Sequence, residues 1–328
     1  MLGLAGCGQQ AAPEFVYVAR AAADFRVDPA PESDVLRQLQ WGDRLLVLDR
    51  RRSAVFARTA TAEEGWVPQS VLIAEGVKTN ADLLRSYTTD YQPQGQVHAF
   101  ELTNVHLEPR LDSPTLYQLQ RDEPADLLRR QLVDRASTAG AKSQYVDDWQ
   151  LVRLAGGQAG WILSSRAYSG IPDEIGQYAQ GRRITSYFQI GSVRDPIAGI
   201  DRPTWLWTQV SRTQLPFDYD VVRLFRWSVA ENAYETIWIE NGLIGFLPVT
   251  IRRPGATVAA DGFSLIVEES RARWRKSFSV RGGQVKMESE GPAPPALPTP
   301  VKIIGGQGEV GGTSNWFARL FGRWRAPT

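Results

Sequence analysis

The strongest constraint on this 328-residue chain is that it repeats itself. Residues 25–43, "FRVDPAPESDVLRQLQWGD", lie without a gap over residues 105–123, "VHLEPRLDSPTLYQLQRDE". In that register Pro29 meets Pro109, Ser33 meets Ser113, Leu36 meets Leu116, and Gln38-Leu39-Gln40 meets Gln118-Leu119-Gln120. A later marker, Gly65-Trp66, recurs as Gly160-Trp161, offset by 95 residues where the first markers are offset by 80. The second copy therefore carries about 15 extra residues. They are expected within 132–148 as a surface loop, because closure entropy rises slowly with loop length.

Each copy reads as short strands divided by turns. "DRLLVLDR" (43–50) has the run of a buried strand, and "WQLVRL" (149–154) alternates as a half-buried one. Gly156-Gly157 then predicts a tight hairpin into "QAGWIL" (158–163). The 11 Trp, 10 Tyr and 12 Phe suit pleated surfaces, which favour aromatic and branched side chains. A third stretch, "YETIWIENGLIGFLPVTI" (234–251), sets Tyr234, Gly242, Gly245 and Phe246 on Trp149, Gly157, Gly160 and Trp161. Asn241-Gly242 there predicts a hairpin turn. With "TWLWTQV", "DVVRLFRWSV", "GFSLIVEE", "RWRKSFSV" and "QVKM" around it, 180–288 is expected to form a larger β domain. It is either a diverged copy or a different fold with a similar hairpin.

The repeated unit resembles the bacterial SH3-type (SH3b) domain, whose phrase W-x-x-V-x-x-x-x-G-x-x-G-W-V is matched by Trp149, Val152, Gly157, Gly160, Trp161 and Ile162. The first copy keeps Gly65, Trp66 and Val67, has Phe56 for the first aromatic, and lacks the turn glycine. The resemblance covers 15–75 and 95–170 and implies two small all-β barrels. It also implies a shallow groove where exposed aromatics stack on peptidoglycan or peptide. The ligand-binding candidates are Phe56, Trp66, Trp149, Trp161 and Tyr168, with Tyr17 and Trp41 behind them. Tryptophans in this setting often cap a barrel core, and both readings stand at this point.

Candidate catalytic groups are few. The one cysteine, Cys7, allows no intramolecular disulfide and no internal Cys-His pair of the kind that cell-wall peptidases with SH3-type domains carry. His98 and His106 are the only histidines and no metal-ligand spacing completes them. Asp218 with Asp220, and Asp147 with Asp148, are paired carboxylates that read first as solvated loop acids and second as a glycosidase or calcium site, and a hydrolase in 180–288 would use Asp218, Asp220 or Glu235. No catalytic residue, metal or cofactor is expected. Net charge of +1 gives no general pull toward nucleic acid.

The two ends carry their own signals. "LGLAGC" before Gly8 resembles the bacterial lipoprotein signal box, which implies lipid attachment at Cys7 and, with Gly8, outer-membrane sorting in a diderm. Only six residues precede Cys7, with neither a basic start nor a full apolar core, so the expectation needs an in-frame extension upstream. Residues 1–14 then form the signal box and a tether. "GPAPPALPTP" (291–300) predicts a stiff spacer. The lone G-x-G-x-x-G of Gly306, Gly308 and Gly311 lacks the helix and acid of a dinucleotide site and reads as a linker. In 313–328, Trp316, Phe317, Leu320, Phe321 and Trp324 fall on one helical face, with Arg319, Arg323 and Arg325 off it. This segment (within 289–328) is expected to touch a membrane or a partner, or to fold back on the chain.

Taken together these readings predict a non-enzymatic envelope lipoprotein that faces the periplasm. Its tandem SH3-like modules hold peptidoglycan or an envelope protein. The alternatives are an accessory subunit docked through the tail and, less favoured, a carboxylate-dependent wall hydrolase.

Overall fold

Three seven-stranded antiparallel sheets follow one another along the chain in a computed structural model that describes residues 12–134, 146–212, 215–255 and 259–294. Cys7 and the tail residues Trp316, Phe317, Arg319, Leu320, Phe321, Arg323 and Trp324 lie outside the described residues. The fold is all-β, with few helices.

The first sheet comprises β1 (Phe15–Val18), β2 (Ala22–Arg26), β3 (Val35–Gln40), β4 (Arg44–Arg50), β5 (Ala54–Arg58), β6 (Glu64–Pro68) and β7 (Leu72–Ala74), in the order β3-β2-β6-β5-β4-β1-β7. The second comprises β8 (Gln96–Ala99), β9 (Thr103–His106), β10 (Thr115–Leu119), β11 (Pro124–Asp134), β12 (Val146–Arg153), β13 (Ala159–Leu163) and β14 (Ala167–Ser169). Its order, β10-β9-β13-β12-β11-β8-β14, is the same one. Both sheets curl around a core of their own, one built on Val18, Phe25, Leu39 and Val55, the other on Val97, Val105, Leu119 and Val152.

The repeat survives down to single bonds. Asp28 N–H donates to Ser33 Oγ at 2.9 Å, and Glu108 N–H donates to Ser113 Oγ at 2.9 Å. Gln38 bonds Asp24 as Gln118 bonds Asn104. A Cβ at Gly65 would sit 2.8 Å from the Arg26 carbonyl oxygen, and one at Gly160 would sit 2.8 Å from that of His106. Only glycine admits this approach of strands β2 and β6, or β9 and β13. The β12–β13 turn closes through Leu154 N–H to Gln158 O, with Gly157 at φ +80°. The matching turn closes through Thr59 N–H to Glu63 O, and there Ala62 takes φ +64° in glycine's place.

The register also corrects the sequence reading. Ala54 pairs with Pro68 and Trp149 with Leu163, so Trp149 corresponds to Ala54, and Phe56 corresponds to Leu151. The extra residues of the second copy are not wholly loop. Gln131–Asp134 pair with Val146–Trp149 and extend the β11–β12 ladder. β12 is buried on both faces, not half-buried, with Trp149, Gln150, Leu151 and Val152 all 5 % exposed or less. β4 is the half-buried one, since Leu48 is 38 % exposed.

Between the two curled sheets runs α1 (Glu75–Thr88), a helix the strand-by-strand reading does not anticipate. Val77, Ala81, Leu84 and Thr88 recur at spacings of four, three and four, which puts them on one face. That face packs on Ala19 and Ile73 of the first unit and on Trp149, Ala159 and Trp161 of the second, in one continuous cluster. Trp41 Nε1 adds a bond across the same joint, to Leu116 O at 3.1 Å.

The third sheet is a simple meander of β15 (Arg183–Asp195), β16 (Ile200–Val210), β17 (Tyr219–Ser228), β18 (Ala233–Arg252), β19 (Gly262–Glu269), β20 (Ala272–Arg281) and β21 (Gln284–Pro292). Its last strand passes the expected boundary at 288. Asn241-Gly242 makes no hairpin, and β18 runs straight through it. The positive φ of Gly242 instead serves a register shift, after which Gly245 pairs with Tyr219 of β17 on one side and Val267 of β19 on the other, and the strand follows β19 from there. At Gly245 an added Cβ would stand 2.0 Å from the Tyr219 ring. One face of the sheet buries Leu206, Val222, Leu224, Val249 and Phe263. The other buries Trp205, Trp207, Phe225, Trp227 and Tyr234 beneath the short helix α2 (Asp173–Gly176), through Ile175.

Candidate functional site

The second curled sheet and the meander are joined by side chains that behave like backbone. The amide of Gln94, fully buried, donates to Val249 O at 3.1 Å and accepts from Val249 N–H at 2.9 Å, as a paired strand residue does. Gln92 Oε1 accepts from Ile251 N–H at 2.9 Å. Tyr187 accepts from Gln96 N–H at 3.0 Å and donates to Gly170 O at 2.9 Å.

Beside this seam the two units form a cleft of about 460 Å³. Arg130 and Gln150 reach it from β11 and β12, Ser164 and Tyr168 from the end of the second unit, and Arg182, Arg183 and Thr185 from the start of β15. Three arginines line it and no carboxylate does. The nearest acids stand behind the arginines. Arg130 Nε lies 2.9 Å from Asp148 Oδ1, and Arg130 Nη1 lies 3.3 Å from Asp218 Oδ1 and donates to Phe217 O at 3.0 Å. Arg183 reaches Asp148 at 3.3 Å, and Ser164 Oγ donates to Asp148 at 2.8 Å. Burial works against the charge of Arg130, but Asp148 and Asp218 outweigh it and hold its pKa above the ordinary value. Burial pushes the Asp218 carboxyl up, although Leu247 N–H, at 2.8 Å, and Arg130 both favour its charged form.

Two groups in the wall have no partner of their own. Arg182 makes no ion pair and no side-chain hydrogen bond among the described residues, and its charge helps lower the pKa of Arg223, second to burial. Gln150 is 5 % exposed, and its Oε1 accepts no hydrogen bond. Buried polar groups are satisfied in the great majority of cases, so Gln150 points to something that completes it, while the half-buried Arg182 presents an unpaired charge to the same cleft.

The sequence candidates fall in three places. Trp149 and Trp161, 1 % and 2 % exposed, are covered by α1 and serve the joint between the two units, which corrects the reading of them as exposed stacking surfaces. Trp66 is also buried, at 7 %, against Phe56 at 5.1 Å and under the Arg51 guanidinium at 4.3 Å. Tyr17 and Trp41 share the ammonium of Lys78 near the joint. Tyr168 alone of the first five is exposed, at 38 %, and it lines the cleft. Its ring stacks on His98 at 5.4 Å and touches Phe100 at 5.1 Å, while its hydroxyl donates to Asp122, which raises its pKa. His106 is buried, its Nδ1 2.9 Å from Ser113 O.

The carboxylates take structural posts. Asp220 accepts from Ser211 N–H at 3.2 Å, and Glu235 is exposed on β18. Asp148 and Asp218 are brought together, as a hydrolase would require, but with Arg130 between them. Sequence reasoning missed Arg130, Gln150 and Arg182. The signal for Gln150 lay in the repeat, where it occupies the place of Val55, a fully buried core residue of the first unit.

No protein-family model and no curated protein matches the chain. Among solved structures it is similar to NlpC1 from Trichomonas vaginalis, at 10 % identity over 88 % of this chain and 92 % of that one, with a TM-score of 0.18. NlpC2 from Trichomonas vaginalis gives 9 %, 86 %, 98 % and 0.18 in the same terms. An NlpC/P60 family protein from Bacillus cereus ATCC 10987 gives 10 %, 85 %, 94 % and 0.19. At such TM-scores these likenesses carry no weight in assigning a function.

Proposed function

We propose that this chain is a non-enzymatic protein of the bacterial envelope that holds peptidoglycan, anchored by lipid at Cys7, with the cleft between its second and third units as the binding site. The observation that carries the binding role is the division of labour around that cleft. Asp148 and Asp218, the carboxylates nearest the cleft, are held by Arg130, Arg183, Ser164 and Leu247 N–H, while the cleft presents the charge of Arg182 and the buried Gln150 oxygen with no side-chain partner among the described residues. A hydrolytic acid pair needs one carboxyl free to protonate a leaving group and the other free to attack or to activate water. An arginine wedged between the two leaves neither free. A concave site with a few convergent polar groups is the usual form of a ligand pocket, and 460 Å³ is within the range such pockets occupy.

The test is co-sedimentation of residues 12–294 with purified sacculi. Wild type pelleting with sacculi, and Arg182→Gln remaining in the supernatant, supports the proposal. Failure of the wild type to pellet removes wall binding, and release of soluble wall fragments by the wild type removes the non-enzymatic role. Metabolic labelling with an alkyne palmitate, read in wild type and Cys7→Ser, tests the anchor separately.

A further inference from the structure

We propose that the cleft takes the carboxylate end of a short peptide, an assignment that rests on reading this cleft as a binding site. Three observations meet there. The first is charge. The lining holds three arginines and no acid, and of the three, Arg130 is saturated by Asp148, Asp218 and two carbonyls, and Arg183 is tied to Asp148. Arg182 remains, a planar donor fork of the geometry that grips a carboxylate with two parallel bonds. An anion there also offsets the repulsion that Arg182 exerts on Arg223, whose own side chain reaches only the neutral Gln180 at 3.3 Å.

The second observation is Gln150. In the first unit the same slot, opposite Arg50 and beside Val67, holds Val55 in the core. In the second unit the slot, opposite Arg130 and beside Ile162, holds an amide whose oxygen accepts nothing. Val97 and Leu127 line the same cleft, so its wall at this slot is otherwise apolar. A polar side chain in a core position costs free energy unless something satisfies it. A side-chain amide offers one acceptor and two donors, and another amide is the group that meets both. A peptide bond one or two residues from a carboxylate supplies that group.

The third observation is size and exclusion. A cleft of about 460 Å³ encloses a short peptide and not a folded chain. A neutral sugar leaves the charge of Arg182 unpaired, and a phosphate, lacking an N–H beside its oxygens, does not offer Gln150 the donor and acceptor pair that a peptide bond does.

The experiment uses the full chain and two pools of N-acetylated tripeptides of mixed sequence, one with free C-terminal carboxylates and one capped as amides, read by equilibrium dialysis. The expected result is retention of the acid pool and at least tenfold weaker retention of the amide pool. Arg182→Gln and Gln150→Val, the latter giving the first unit's own residue, each lower retention of the acid pool about tenfold while melting no lower than wild type. Equal retention of the two pools, retention of neither, or undiminished binding by both variants overturns the assignment. These outcomes are separable from the envelope proposal. Acid-selective binding without sacculus binding removes only the wall, and sacculus binding without acid selectivity removes only the peptide carboxylate.

Discussion

Replacing Arg130 with methionine keeps the length of the side chain and removes the charge that sits between Asp148 and Asp218. The consequences for the two acids differ. Asp148 retains Arg183 and Ser164 Oγ, whereas Asp218 retains only the Leu247 N–H. The Asp218 side chain is 12 % exposed, so little water reaches the orphaned charge. Breaking a buried pair by removing one partner costs about 3–5 kcal/mol, and that is the loss expected at pH 7. The pH dependence follows from the sign of the shift. Burial already raises the pKa of Asp218, and losing Arg130 raises it further. A carboxyl raised in the folded state favours folding while protonated and loses that contribution as pH rises through its folded pKa. The deficit of Arg130→Met is therefore largest at neutral pH and shrinks toward pH 5, by about 1.4 kcal/mol for each pH unit below the shifted pKa. Urea denaturation followed by tryptophan fluorescence at both pH values reads it. Adding Asp218→Asn to Arg130→Met should return more than half of the loss. A deficit under about 1 kcal/mol at pH 7, or equal deficits at the two pH values, refutes the reasoning.

Other expectations concern the joints and the repeat. Leu84→Ala, at a fully buried position in α1, should cost about 2–5 kcal/mol and shift tryptophan emission to the red as water reaches Trp149 and Trp161; unchanged emission contradicts the covering role of the helix. Gly245→Ala should cost about 1–3 kcal/mol by forcing a methyl into the Tyr219 ring, and a neutral result contradicts the close approach of β17 and β18. Gly157→Ala should lower stability by about 1–2 kcal/mol at φ +80°, while Ala62→Gly at φ +64° should be neutral or mildly stabilising. Stabilisation by Gly157→Ala, or a clear loss with Ala62→Gly, in a melting experiment would mean the turns are not equivalent.

How much of this was legible beforehand depended on the range of the interactions involved. The repeat, the strands and the all-β class follow from local periodicity and turn residues, and the Ser33/Ser113 and Gly65/Gly160 matches mark backbone requirements that any copy must meet. The fate of Trp149 and Trp161 was not legible, because a glycine-flanked tryptophan reads alike whether water or a helix covers it. The covering helix is encoded in the spacing of Val77, Ala81, Leu84 and Thr88, a short signal of one helix set among many strands. Asn241-Gly242 misled because a positive φ serves a register shift as readily as a reversal, and pairing partners on both sides of β18 decide between them. The cleft draws Arg130, Gln150 and Arg182 from two units, a juxtaposition that no local pattern encodes. Even so, the exchange of Val55 for Gln150 within the repeat is legible in the sequence.

The central claim is that this protein meets its ligand in the cleft between the second and third units. Amide hydrogen exchange of wild-type protein, with and without muramidase-solubilised wall fragments, addresses that most directly. Protection gathered in residues 147–151, 164–169 and 182–186, and lost in Arg182→Gln, is the predicted result. Protection confined to the first unit, or to the exposed edge of β21, contradicts it.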